Sequence, residues 1–149
     1  MSYQEQRVAV SLITALIVFT AYALYMFGLF QDGRFEGPDA NSLVGKSTFV
    51  LIGASIVVTI VVQILFAIIH AIVTRERDDY IVDERDRLIE LRSMKVGFIA
   101  FSIGFVAAMG LLALDMLAAY AIFLLIIASM FLANVVGDVT KLFLYRRGF

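Results

Sequence analysis

The chain contains no cysteine among its 149 residues, and it has one histidine and one proline. The lack of cysteine excludes disulfides, thiolate catalysis, Cys-ligated zinc and iron–sulfur clusters. A haem would have to rely on His70 with a weak second ligand, or on histidines from two subunits, so we expect no cofactor. The net charge of −1 at pH 7 predicts no nucleic-acid partner.

Charge is also absent from four long stretches, 8–30, 49–73, 96–114 and 116–136. Each is about as long as the ~20 residues that cross a hydrocarbon core of ~30 Å. The chain is 62% hydrophobic, whereas a soluble domain is roughly half apolar. The pattern predicts an all-α integral membrane protein, a four-helix bundle that forms a single transmembrane domain over 1–149.

The predicted helices cover about 8–30, 49–74, 84–114 and 116–140. The first apolar run is longer than a signal-peptide core and lacks a convincing cleavage site, so we expect an uncleaved first span. Residues 31–48 are expected to form an irregular outer connection in which Phe35 returns toward the interface.

Breakers such as Gly33, Gly37 and Pro38 support that irregular connection. Ser47 or Asn41 is the expected cap of the second helix.

Lys and Arg residues predict the orientation. Placing both ends and the 75–95 segment on one side puts ten of the twelve basic residues there. The rule counts Lys and Arg rather than net charge, so this side is expected to be the cytoplasm. The sequence therefore predicts a multi-pass membrane protein with both termini in the cytoplasm.

The segment before the third span is expected to be helical, because no glycine or proline occurs between Gly53 and Gly97. Asp83 is a plausible N-cap, and acids favour the positive end of a helix. A long cytoplasmic helical extension should therefore begin near residue 84, after a break at 80–82, where β-branched residues weaken a helix.

The third and fourth spans form one apolar run from Val96 to Val136, about twice the thickness of the core. Asp115 is the charged residue near its middle. A carboxylate in mid-bilayer would cost about 2.5–3.5 kcal/mol or more. We expect a tight outer turn at 114–116, with a functional acid as the alternative.

Polar residues within lipid tend to face protein or water. Gln63 and His70 share a face of the second helix, and Asn134 and Asp138 share a face of the fourth. His70 and Asp138 both lie shortly before basic residues and should have similar depth. We predict a polar intramembrane cluster of these four residues that is structural, senses protons through His70 or binds a polar headgroup.

Small residues at spacings of three and four form a stripe on the third helix: Gly97, Ala100, Gly104 and Ala108. Such stripes let helix backbones approach closely in lipid. The partner is either the fourth helix or another copy of the chain, so a homo-oligomer is one expectation.

Acids and arginines alternate in the cytoplasmic segment, including Asp83, Glu84, Arg85, Asp86 and Arg87. The ligand spacing of an EF-hand is absent, so we expect no metal site but a salt-bridged interaction surface.

The run Asp83-Glu84-Arg85-Asp86-x-x-Ile89, between a second and a third span, resembles a segment of small uncharacterised bacterial inner-membrane proteins. Those families have four spans and a D-E-R-rich cytoplasmic segment between spans two and three. The resemblance covers about ten residues plus the hydropathy pattern. It implies the same architecture, a location in a bacterial inner membrane and no catalytic motif.

Three classes of function remain. The first is a non-enzymatic membrane module, oligomeric or partner-binding, that presents the charged segment 75–95 to the cytoplasm. The alternative is a small channel or transporter with a polar path near Gln63, His70 and Asp138. A membrane enzyme is not expected, because no nucleophile–base pair or carboxylate pair is evident. The expected partners are membrane lipids, a second copy of the chain, and a cytoplasmic or membrane protein.

Overall fold

A computed structural model describes residues 3–74 and 84–147 of the chain. Within them lie four α-helices: α1 (Tyr3–Gln31), α2 (Ala40–Thr74), α3 (Glu84–Ala113) and α4 (Ala119–Arg147). All four are long and apolar enough to cross a membrane. The predicted Asp83 cap and the predicted break at 80–82 lie outside the described residues.

Helices α1 and α2 form an antiparallel hairpin. The Tyr22 and Thr48 hydroxyls are 3.1 Å apart near the turn, and the Tyr3 and His70 rings lie 4.6 Å apart at the other end. Tyr22 belongs to a buried cluster beneath the turn, which includes Met26, Phe35, Ala40 and Val44. Phe35 is buried as well and stacks on Tyr120 of α4 at 4.9 Å, so the connection packs onto the helices.

The second helix begins at Ala40, not near residue 49 as the apolar run predicts. The Leu43 amide donates to the Asp39 carbonyl at 2.9 Å, which closes the first turn. Ser47 lies inside the helix and donates to the carbonyls of Leu43 and Val44, so it is not the cap. Residues 40–48 have a composition typical of a loop. They are helical because burial of Val44 (1% exposed) against α1 stabilises the helix.

Helices α3 and α4 form a second antiparallel hairpin around Asp115, as the single charge in the long apolar run predicts. Asp115 has φ +50°, and the Met116 amide donates to the Leu111 carbonyl at 3.1 Å. This pattern resembles the left-handed ends of many helices, where asparagine and aspartate are tolerated in place of glycine. Asp115 is exposed at the turn.

The small-residue stripe of α3 faces α4. A Cβ added at Gly97 would lie 3.0 Å from the Ala133 carbonyl oxygen, and one added at Gly104 would lie 2.6 Å from the Ser129 Cβ. Ala108 is buried and Ala100 is half-buried. Of the two partners that the sequence leaves open for this stripe, the structure shows the fourth helix.

Helix α4 contacts all three other helices, whereas the backbone of α3 approaches only α4 among the described residues. The arrangement is therefore more open than a closed four-helix bundle: α1, α2 and α4 pack together, and α3 lies on the far side of α4. Few residues in the apolar part of each helix are buried within the protein. Surfaces of this kind suit a multi-pass membrane protein that is surrounded by lipid.

The apolar stretch of α2 extends past that of α1 at the end where α1 begins. Arg7, just before the apolar stretch of α1, contacts Gln63, which lies well inside the apolar stretch of α2. From Ile64 to Val73, α2 continues for roughly 15 Å past that level. Ile68 and Val73 in this part are at least half exposed.

Candidate functional site

All four helices line a cavity of about 470 Å³ at the end where α1 begins and α4 ends. We call this cavity the chamber. Its size lies in the usual range of ligand pockets. Its lining residues are Gln4, Arg7, Val8, Ser11, Thr59, Gln63, Asp86, Glu90, Asp138, Lys141 and Tyr145.

Helical spacing explains why these side chains meet. Residues three or four apart share a helix face, and each helix supplies such a set. Arg7 and Ser11 are four apart on α1, as are Thr59 and Gln63 on α2. Each helix therefore turns one polar face toward the chamber.

Arg7 and Gln63 close one side of the chamber. The Arg7 Nε donates to the Gln63 Oε1 at 3.3 Å. A guanidinium carries five N–H groups, and this bond uses one of them. The bond also fixes the side-chain amide of Gln63 toward α1.

Asp138 is the buried acid of the chamber, with 7% of its surface exposed. The Ser11 side chain lies close enough to interact with its carboxylate. The Lys141 Nζ lies 3.9 Å from its Oδ1, and these residues are three apart on α4. A buried carboxylate needs such partners, because an isolated charge is strongly destabilised away from water.

Asp86 and Glu90 bring negative charge from the first turns of α3. Asp86 is half-buried and Glu90 is exposed. The chamber lining has three carboxylates and two cations, Arg7 and Lys141. Since Lys141 already pairs with Asp138, the acids of α3 leave an excess of negative charge on that side.

The structure brings some members of the predicted polar cluster together and not others. Gln63 and Asp138 line the same chamber. Asn134 shares a smaller cavity of about 150 Å³ with Asp138, beside Gly97 and Gly137. His70 lies against the rings of Tyr3 and Phe66 and is not among the residues that line the chamber.

The predicted cytoplasmic surface is described only from Glu84 onward. Glu84, Arg85 and Arg87 are exposed on the first turns of α3, and Asp86 turns toward the chamber. Asp83 lies outside the described residues. In the described part of the chain, no three histidine, aspartate or glutamate side chains group as metal ligands would.

Two further cavities lie between α1 and α4 away from the chamber, and α2 also lines the nearer one. The nearer one, the seam cavity, measures about 220 Å³ and includes Thr59, which also lines the chamber. The farther one, the outer cavity, measures about 290 Å³ and shares Phe19 and Ile127 with the seam cavity. The three cavities therefore adjoin one another through shared side chains.

The lining side chains become less polar from the chamber through the seam cavity to the outer cavity. The outer cavity is lined by apolar and aromatic side chains, among them Met26, Phe30 and Tyr120. In the seam cavity, the Ser55 hydroxyl donates to the Ile52 carbonyl at 2.8 Å, and the Thr48 hydroxyl donates to the Val44 carbonyl at 2.7 Å. Hydroxyls bonded to their own helix offer little polarity to a ligand.

Sequence reasoning missed Arg7, Ser11, Glu90 and Lys141 as site residues. The available signal was the recurrence of polar residues three or four apart at the cytoplasmic end predicted for each helix. That signal shows which residues share a face, but it does not show which faces of different helices meet.

No protein-family model, curated protein or solved structure matches this chain.

Proposed function

We propose that this chain is a non-enzymatic, multi-pass protein of a bacterial inner membrane that binds a partner at its cytoplasmic end. The observation that carries the proposal is the chamber, a cavity of about 470 Å³ to which all four helices contribute and in which charges of both signs meet. Such a cavity offers binding groups for a polar ligand or for a polar segment of another protein.

The distribution of Lys and Arg supports a cytoplasmic position for this end. The chamber lies where α1 begins, α4 ends and α3 begins, so Arg7, Arg85 and Arg147 belong to the same end of the molecule. The exposed Glu84, Arg85 and Arg87 lie on the helix that supplies Asp86 to the chamber. We propose that they extend the binding surface, together with the rest of the 75–95 segment.

Self-association is part of the proposal, through faces other than the small-residue stripe of α3. Gly97 and Gly104 on that stripe contact α4 within one chain. The lipid-facing sides of α2 and α3 are the surfaces that a second copy could reach.

Single introduced cysteines test the orientation and the chamber together, because the natural chain has none. Gln4→Cys places a thiol in the chamber, Glu84→Cys places one on the exposed start of α3, and Glu36→Cys places one in the opposite turn. We expect a membrane-impermeant maleimide to label Glu36→Cys in intact cells and the other two only in inverted vesicles. Labelling of Glu36→Cys and Glu84→Cys from the same side would overturn the orientation.

Partner binding is tested by a photoreactive residue at position 87, with position 36 as the control. We expect a discrete cross-linked adduct at position 87, or protection of the Gln4→Cys thiol by cytosol. No adduct at position 87 and no protection at position 4 would overturn the binding role.

A small channel or transporter is the second candidate, and one observation favours it. Gln63 and Asp138 line one chamber, and Thr59 joins that chamber to a cavity farther along the helices. A flux through proteoliposomes that Gln63→Leu reduces and Ile64→Leu does not would support this function. Absence of flux for small cations, anions and zwitterions would count against it.

A further inference from the structure

The chamber and the seam cavity adjoin each other, and the lining changes from charged in the chamber to mainly apolar in the seam cavity. Thr59 is the junction, because it lines both cavities. On one side of it lie Arg7, Asp138 and the acids of α3. On the other side, apolar side chains such as Leu51 and Phe131 predominate, with the Asn134 amide and hydroxyl groups of α2 among them. A ligand that matches both sides is an amphiphile.

We propose that this surface binds one membrane phospholipid whose headgroup carries a phosphate and a primary ammonium group, with an acyl chain in the seam cavity. The inference rests on the proposed binding role of the chamber and names its ligand.

The length of the seam fits one leaflet. Thr59 and Thr48 mark the two ends of the α2 side of the seam cavity. They are separated by roughly 16 Å along the helix axis, at ~1.5 Å per residue. Half of a hydrocarbon core of ~30 Å is about the same distance. A headgroup in the chamber would therefore lie at the membrane surface while its acyl chain follows the seam toward the midplane.

The depth of the chamber relative to the apolar stretches agrees with the position of a lipid headgroup. The apolar stretch of α1 starts at Val8, directly after Arg7, and that of α4 ends at Val136, shortly before Asp138. Both of these boundary residues, Arg7 and Asp138, line the chamber. The chamber therefore lies where two helices pass from apolar to polar sequence.

The charges of the chamber select the headgroup. Arg7 offers N–H donors to a phosphate, and Lys141 lies on the same lining. Asp86 and Glu90 can accept N–H bonds from a primary ammonium group. A quaternary ammonium has no N–H to donate, and an anionic headgroup without an amine would meet three carboxylates with two cations. A zwitterionic headgroup with a primary amine presents a phosphate to the cations of the chamber and an ammonium group to its carboxylates.

The decrease in polarity from the chamber to the outer cavity argues against the passage of a polar solute through these cavities. A solute that leaves the chamber would meet Phe19 and Phe131, whose rings stack with centroids 3.8 Å apart. Beyond them the outer cavity is lined by apolar and aromatic groups. An acyl chain is compatible with these surroundings, whereas an ion or a zwitterion would lose its hydration there.

The test measures which lipid stays bound to the full-length protein. The protein is reconstituted in vesicles with equal amounts of phosphatidylethanolamine, phosphatidylcholine and phosphatidylglycerol, extracted in mild detergent, and analysed by native mass spectrometry. We expect phosphatidylethanolamine to be retained preferentially. The double variant Asp86→Asn/Glu90→Gln should lose this preference by about tenfold, the effect of ~1.4 kcal/mol. Glu36→Gln, which neutralises an exposed acid in the turn at the opposite end of the molecule, should leave it unchanged.

A second pair of variants distinguishes a lipid from a soluble zwitterion with the same groups. Ser55→Leu fills the seam cavity, and Val57→Leu adds the same side chain at an exposed position two residues away. We expect only Ser55→Leu to reduce lipid retention, and free phosphoethanolamine to compete poorly with the lipid. Circular dichroism and gel filtration confirm that each variant is folded.

Three results would overturn the inference: preferential retention of phosphatidylglycerol, equal retention of all three lipids, or competition by free phosphoethanolamine that is unaffected by Ser55→Leu. If lipid retention fails while cytosol still protects the Gln4→Cys thiol, the lipid inference falls and the proposed binding role stands. If both fail, the chamber has no binding role.

Discussion

The Arg7 Nε lies 3.3 Å from the Gln63 Oε1, and this bond joins the polar edge of α1 to the apolar interior of α2. Along α2, Gln63 is the polar side chain between Thr59 and His70. An arginine at the edge of a span can reach along the helix and keep its charge near water. The bond therefore fixes the register of the first hairpin as well as one wall of the chamber.

Replacement of Gln63 by leucine removes the acceptor for Arg7. We expect the free energy of unfolding to fall by about 0.6 kcal/mol, a typical value for an interhelical hydrogen bond in a membrane protein. Gln63→Glu keeps an acceptor and adds an opposite charge, so its loss should be smaller. The measurement is denaturation by SDS in mixed micelles, followed by circular dichroism, with Ile64→Leu as the control. Equal stability of Gln63→Leu and wild type would show that the bond does not stabilise the hairpin.

The close approach of α3 and α4 depends on Gly104. A Cβ at this position would lie 2.6 Å from the Ser129 Cβ, which belongs to a helix and cannot rotate away. We expect Gly104→Ala to lower the free energy of unfolding by about 1–3 kcal/mol through overpacking. Gly110→Ala is the matched control on the same helix, because no heavy atom lies within 4 Å of its Cβ. It should be neutral or stabilising by up to ~1 kcal/mol.

A compensating change tests the mechanism of that loss. Ser129→Gly removes the atom that the new methyl group meets, so the double variant Gly104→Ala/Ser129→Gly should recover part of the stability. Both variants should keep the particle size of the wild type on gel filtration, since the stripe contacts α4 within one chain. A smaller particle for Gly104→Ala would instead assign this face to self-association.

The helical architecture could be predicted from the sequence because apolar length depends only on local composition. The turn at Asp115 follows from the one charged residue within a long apolar run, and a helix that begins near residue 84 follows from a charged segment without glycine or proline. The start of α2 at Ala40 could not be read in this way. Helix formation between Asn41 and Thr48 depends on burial of Val44 against α1, which is a tertiary effect.

The predicted polar cluster depended on one assumption, that each helix enters the membrane at the same distance from its basic residues. That assumption places His70 level with Asp138. The structure pairs His70 with Tyr3, beyond the level of Arg7, because the apolar stretch of α2 extends past that of α1. How far one helix extends past another depends on packing between helices, which no single helix encodes. Gln63 and Asp138 meet in the chamber at the level of Arg7.

Asp138 should be the acid of the chamber to which stability is most sensitive. Asp138→Ala leaves the Ser11 hydroxyl and the Lys141 ammonium without their buried partner, and we expect a loss of about 1–3 kcal/mol in the free energy of unfolding. Asp138→Asn keeps an acceptor for Ser11 and should cost less. Lys141→Gln should cost ~1 kcal/mol or less, since its ion pair is 3.9 Å long and partly exposed.

The same SDS denaturation measures these three variants, with Val139→Ala at an exposed neighbouring position as the control. The expected order of loss is Asp138→Ala, then Asp138→Asn, then Lys141→Gln. If Lys141→Gln were the most damaging, the ion pair rather than the contact with Ser11 would hold this wall of the chamber.

The turn between α3 and α4 should select for residues that tolerate a left-handed backbone. Asp115 has φ +50° and is exposed, so its side chain can be changed with little effect on packing. We expect Asp115→Asn and Asp115→Gly to retain the stability of the wild type, because both residues adopt this conformation readily. Asp115→Val should cost about 1–2 kcal/mol or more, since a β-branched residue at positive φ is strained.

Comparison of Asp115→Val with Asp115→Asn separates the backbone from the charge. Both changes remove the carboxylate, but only valine opposes the backbone conformation. If both variants lost the same stability, the charge of Asp115 would matter more than its φ angle, and the alternative of a functional acid would gain support. If neither lost stability, the turn would be able to re-form with a different backbone, because the paired small residues of α3 and α4 would be sufficient to hold the hairpin.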